Sequence, residues 1–214
     1  MSFIIKIVGV ILLNNRPKYF KFVLTSLFVA IIFVLALTPL GFINLGGMRL
    51  TTVHVPVILG SILLGPKLGV VLGATFGLVS LLTNTLTPGI LSFVFSPFIP
   101  IPGTDSGSIV ALVICFVPRI LVGVIPYFVH RSLQKFGNVS FVVAALVGSL
   151  TNTLLVLHFI YFFFHDAYSD ALNIPMDAVY AAIMAVIATN GIAEAMLAAL
   201  LVTALGKVLY SKIG

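Results

Sequence analysis

The sequence predicts an all-α integral membrane protein with six transmembrane helices, both termini cytoplasmic, and a short N-terminal interfacial helix. Three observations predict it. Of its 214 residues, 61% are hydrophobic and only 7% are charged, too few to clothe the surface of a water-soluble domain. The apolar residues gather in runs of the length that crosses about 30 Å of hydrocarbon. The charges sort by side: Lys6, Arg16, Lys18, Lys21, Lys67, Arg131, Lys135, Lys207 and Lys212 fall with the two termini, and Asp105, Asp166, Asp170 and Asp177 fall opposite. Six spans are the assignment that sorts them so cleanly, which makes the terminal side cytoplasmic. The net charge of +6 therefore reports topology. It does not indicate nucleic acid, because no single run or helix face collects the basic residues.

Residues 1–19 form the interfacial segment and residues 20–214 the six-helix domain. Ser2–Leu13 is too short to span, and no small-x-small cleavage site follows it, so it reads as a helix lying along the cytoplasmic surface. The first span covers about Phe20–Leu40. A glycine-containing loop, GFINLGGMR, precedes a short second stretch, about Thr52–Leu64, which reaches spanning length only if it starts near Met48. Gly65-Pro66 breaks it, and the third span runs on to about Leu86. The segment TNTLTPGILSFVFSPFIPIPGTDSGS is longer than an ordinary connection, which favours a lid or binding loop. Spans four, five and six cover about Ile109–His130, Val139–Phe164 and Asp177–Leu209.

Arg119, behind Pro118 and deep in the fourth span, is the chief candidate for function. A guanidinium at that depth costs about 2.5–3.5 kcal/mol on insertion scales, so it must face a cavity, a carboxylate or an anionic ligand. Pro118 supplies no N–H and loosens the helix beside it. Glu194 in the last span is the other charge at comparable depth and a candidate partner. Polar residues crowd the outer halves of the helices: Arg49, Thr51, Thr52 and His54 at the mouth of the second, Asn84 ending the third, Asn152 and His158 in the fifth, Asn190 with Glu194 in the sixth. An asparagine in a membrane also bonds neighbouring helices, so each of these residues has a packing role as its alternative. Gly65, Gly69, Gly73 and Gly77 recur one turn apart, a stripe that admits another backbone either inside the bundle or from a second protein.

Other chemistries lack parts. Neither His54 nor His158 has a carboxylate or thiolate suitably spaced, so no metal is expected. Cys115 is the single cysteine, which excludes an internal disulfide. No G-x-x-x-x-G-K-[ST] is present for ATP, no H-E-x-x-H, and no G-x-S-x-G. Six spans without internal repeats are few for a carrier that moves on its own. A binding protein that draws its energy from partners fits better.

The stretch TTVHVPVILGSILLGPKLGVVLGATFGLVSLL (Thr51–Leu82), the PRILVG segment at Pro118–Gly123 and NGIAE at Asn190–Glu194 resemble the substrate-binding S-components of energy-coupling factor (ECF) vitamin transporters. The resemblance extends from Phe20 to the C-terminus. It implies a multi-pass protein of the bacterial cell membrane that is not an enzyme. It also implies a vitamin bound from outside, a membrane scaffold subunit, and two cytoplasmic ATPases that use the ATP, with no cofactor in this chain. The family's docking pair of small residues on the first helix is matched by Ser26 and Ala30, with Gly69 and Gly73 as further docking candidates. SFVFSPF at Ser92–Phe98 and CFVPR at Cys115–Arg119 look most like the pantothenate-specific members. On that reading Arg119 takes the vitamin carboxylate, with Asn152 and Asn190 at its polar remainder and Thr52, His54, Asn84, His158 and Glu194 around it. The alternatives are another vitamin or precursor (pyridoxine, hydroxymethylpyrimidine, riboflavin, folate) or, in a different class, an intramembrane enzyme acting on a lipid-linked phosphate.

Overall fold

The computed structural model describes residues 18–45 and 48–213; the expected interfacial segment, residues 1–19, lies almost wholly outside them. Among the described residues, five helical segments are long and apolar enough to cross a membrane, and a sixth apolar helix is shorter. Helix α1 (Lys18–Leu37) presents Phe22, Val23, Leu27, Val34 and Leu37 outward and buries Phe28 and Ile32. It is mostly lipid-facing, as a peripheral helix of an apolar bundle must be.

A short hairpin follows, which sequence reading treats as loop and helix start. Strand β1 (Phe42–Leu45) pairs antiparallel with β2 (Met48–Thr51), with Phe42 opposite Thr51 and Leu45 opposite Met48. The Thr52 N–H closes its base on the Gly41 carbonyl at 2.9 Å. The second span therefore does not begin as helix at Met48. Its helix, α2 (His54–Leu64), has 11 residues, about 16 Å at 1.5 Å per residue. Nearly every α2 residue is buried, because α1 and the helical segments Pro66–Leu86, Ile125–Leu133, Asn138–Leu172 and Ile192–Ile213 pack around it. Non-helical backbone is tolerated at membrane depth when protein encloses it.

Gly65 joins α2 to α3 (Pro66–Leu86) with φ +92°, a conformation open to glycine, and Pro66 starts the new helix where a missing N–H costs nothing. The glycine stripe of α3 faces inward onto α4 (Val110–Val122). A Cβ at Gly69 would overlap the Gly123 carbonyl, and one at Gly73 would lie 2.7 Å from the Ile120 Cα and against the Arg119 carbonyl. At Gly77 it would meet the Phe116 ring at 2.7 Å. Gly69 and Gly73 thus form the α3–α4 crossing; the docking face expected there is corrected by these backbone contacts.

The fourth span does not break at Pro118. It continues to Val122, turns at Gly123 and resumes as α5 (Ile125–Leu133). Helix α6 (Asn138–Leu172) has one non-helical residue, Phe164, where sequence reading ends the fifth span. The sixth consists of α7 (Val179–Val186), a π-helical turn at Ile187–Gly191, and α8 (Ile192–Ile213).

Two apolar cores fill the bundle. One joins α2 and α3 with Val122, Phe141, Ala145, Ala198 and Val202. The other, toward the acidic end, joins Phe93 and Val94 of the long loop with Ile114, Val156, Phe164, Val179 and Ile183. We expect Gly73→Leu to cost more than the about 1–3 kcal/mol typical of overpacking, because its neighbours are backbone atoms that have nowhere to shift. Thermal unfolding of the purified variant measures this, and a wild-type melting temperature would refute the crossing.

Candidate functional site

The two cores leave a polar level between them, and three spans change character there. In α4 it falls between Ile114 of one core and Val122 of the other, at Arg119. In α6 it falls between Ala145 and Val156, at Ser149, Asn152 and Thr153. In the sixth span it falls between Ile183 and Ala198, at Asn190 and Glu194. Polar atoms placed between apolar cores at three helices cost stability unless something bonds them.

Arg119 is 6% exposed. Pro118 explains part of its setting: a proline N cannot donate to the carbonyl four residues back, and that carbonyl, Ile114 O, instead accepts a 2.6 Å bond from Arg119 Nη1. The guanidinium carbon lies 4.9 Å from the Phe95 ring centroid and 5.6 Å from that of Phe76, within the range of cation–π attraction. Arg119 Nε is buried without a hydrogen-bond partner. Phe95 comes from the long loop, which α3 holds down: Ser92 Oγ donates to Asn84 Oδ1 at 2.8 Å, and the Ser96 and Thr85 hydroxyls lie 2.7 Å apart. Asn84 also donates to the Ser80 carbonyl at 2.8 Å. The structure thus places it as the anchor of that loop.

Glu194 does not reach Arg119; among the described residues no ion pair joins them. Its Oε1 accepts the backbone N–H of Thr51 at 2.7 Å, so the last span is tied to the end of the hairpin. Thr52 and His54 are buried beside that junction, and His54 Nε2 has no hydrogen-bond partner. Asn152 Oδ1 is likewise buried and unpartnered. The π turn seats Gly191 against Thr153, the neighbour of Asn152, where a Cβ would fall 2.8 Å from the threonine methyl. Asn190 lies on that turn, and such turns often occur at functional sites. His158 is bound to its own helix, Nδ1 to the Leu154 carbonyl at 2.7 Å. Ser26 and Ala30 are exposed on α1.

Sequence reading misses Phe76 and Phe95 as neighbours of Arg119, the Thr51 amide as partner of Glu194, and the π turn. Gly191 inside an apolar helix was the available hint of the last. No group of three or more His, Cys, Asp or Glu among the described residues is placed to hold a metal.

Comparison with known proteins agrees in kind. The family model described as "ECF transporter, substrate-specific component" matches residues 20–206. The chain is 39% identical over 193 residues to the "Pantothenic acid transporter PanT" of Lactococcus lactis subsp. cremoris, covering 89% of this chain and 94% of that protein. It is 30% identical over 208 residues to the "Pantothenate transporter PanT" of Leuconostoc mesenteroides subsp. mesenteroides, covering 92% and 94% respectively.

The separate bonding of Arg119 and Glu194 gives a direct expectation. In a double-mutant cycle of Arg119→Ala and Glu194→Ala, read by thermal unfolding without ligand, the coupling should stay within about 0.5 kcal/mol. A coupling well above about 1 kcal/mol, in the range of groups in contact, would put the two charges together.

Proposed function

Because the chain belongs to the family of ECF-transporter substrate-specific components, we propose that it captures pantothenate outside the cell for an ATP-driven importer. As a member it is a transporter component and not an enzyme, a multi-pass protein of the bacterial cell membrane. The observation that carries the vitamin assignment is the polar level between the two cores, with Arg119 in it. Pantothenate is an anion with hydroxyl and amide groups. The free Nε of Arg119 and the amine groups of its planar fork suit a carboxylate. Asn152 Oδ1, without a partner, can accept from a ligand hydroxyl or amide, and Asn190 and His54 can serve the remaining polar atoms. Phe95, resting on the guanidinium, roofs this position from the loop on the outer side, so the ligand enters past it. Relatives named for pantothenate transport over nine-tenths of their length support the same choice.

Uptake needs partners on this reading: a membrane scaffold subunit and two cytoplasmic ATPases, which use the ATP, so that this chain carries no cofactor. The α1 face bearing Ser26 and Ala30 is the docking surface, since it is exposed and its small side chains let another helix approach.

Calorimetry on purified protein tests the site. Arg119→Ala should weaken pantothenate binding by about 2–5 kcal/mol, the range for removing one partner of a buried charged pair. Arg119→Lys should recover part of it, since a point charge does not reproduce the fork. Unchanged affinity in folded Arg119→Ala would remove Arg119 from the site. Tighter binding of pyridoxine, hydroxymethylpyrimidine, riboflavin or folate would replace the vitamin.

Docking has its own test. Reconstituted with scaffold and ATPases, Ala30→Leu should bind pantothenate normally yet lose ATP-driven uptake, because the larger side chain holds a partner helix away. The chain alone in liposomes should bind without concentrating the vitamin, even with ATP on the cytoplasmic face. Normal transport by Ala30→Leu would move the docking face elsewhere.

A further inference from the structure

At the basic end of the bundle, away from the polar level, lies a cavity of about 300 Å³ where α5, the start of α6 and the last turns of α8 meet. Its walls include His130, Gln134, Asn138, Phe141, Lys207 and Tyr210, and no carboxylate lines it. His130 is 3% exposed, and its ring nitrogens have no hydrogen bond beyond a contact with the Ser140 backbone. A buried polar group so weakly bonded costs free energy, and here the ring stands in the wall of an open space. The other polar groups can donate: the Lys207 ammonium, the Gln134 amide and the Tyr210 hydroxyl, these last two only 3.5 Å apart in a long mutual contact. Asn138 opens α6, a 35-residue helix, whose start favours negative charge, although the Ser140 N–H already bonds the Gly137 carbonyl at 3.1 Å. The inner wall is aromatic, with the His130 and Phe141 rings 4.4 Å apart and Tyr210 edge-on to Phe141 at 5.8 Å.

We propose that this cavity binds a phosphate group at the cytoplasmic face. The Lys207 ammonium, the neutral donors and the helix start meet its oxygens, and the aromatic wall meets the carbon that bears it. Phe136 and Val139, adjacent in the chain to the lining residues and each 54% exposed, stand where acyl chains would lie. A phospholipid headgroup supplies the phosphate in that arrangement, while a soluble phosphate would use the same donors without them.

The test uses the full-length protein extracted from bilayers of phosphatidylcholine and phosphatidylglycerol and weighed by native mass spectrometry. One phosphatidylglycerol should be retained in preference to phosphatidylcholine. Lys207→Gln should reduce its affinity about tenfold, the loss of roughly one charge-assisted hydrogen bond, and Lys207→Arg should restore it. Lys67→Gln, at the same end of the bundle and outside the cavity, should change nothing. Inorganic phosphate titrated calorimetrically separates the sources: binding that Lys207→Gln weakens, without lipid preference, supports a soluble phosphate in the same site. Retention indifferent to headgroup together with no phosphate binding overturns the proposal, as does equal loss in Lys67→Gln and Lys207→Gln.

Discussion

Arg119 bonds to the Ile114 carbonyl because Pro118 cannot, and much of the bundle is arranged around the charge so held. A guanidinium inside a membrane is tolerable when its N–H groups are met and lipid is kept away. Here its own helix meets one, and rings from two other elements cover its face. Each ring depends on a further feature. Phe76 is near enough because the α3 glycines let that helix press against α4 at Arg119 itself. Phe95 is in place because the Ser92 and Ser96 hydroxyls bond Asn84 and Thr85 and so fix the long loop to the end of α3. Arg119 Nε remains unmet by the protein's own packing, as do Asn152 Oδ1 and His54 Nε2 at the same polar level.

The short buried helix α2 carries the second constraint. It cannot cross a bilayer, so the hairpin must complete the passage, and the hairpin in turn needs an attachment. Glu194 provides it by accepting the Thr51 N–H. This distributes the membrane's two deep charges differently from what their signs suggest. The positive one keeps an Nε without a partner, and the negative one accepts a backbone N–H.

Much of this was legible in the chain. The five long spans, the break at Gly65-Pro66 and the burial of Arg119 within its span follow from hydropathy and proline geometry. What was not legible depends on contacts remote in sequence. A glycine stripe announces a close approach but not the element that approaches, and only the fold turns Gly69 and Gly73 toward Gly123 and Arg119. Asn84 reads as a ligand contact because nothing local shows that Ser92, eight residues on, takes its carbonyl. The pairing of β1 with β2 hides in GFINLGGMRLT, where strands of four residues are too short for alternation to stand out. The π turn departs from the α-helical period over five residues, within a run whose apolar composition conceals it.

The central claim is that the unmet N–H of Arg119 receives the carboxylate of the vitamin. It is tested most directly by changing the ligand and the protein together. Pantothenate and its analogue with the carboxylate reduced to an alcohol are titrated into wild-type protein and Arg119→Ala. Wild type should prefer pantothenate by about 2–5 kcal/mol, the range for a buried charge pair, and Arg119→Ala should bind the two nearly alike. A preference of the same size in both proteins would contradict the account, because the carboxylate would then be recognised somewhere else.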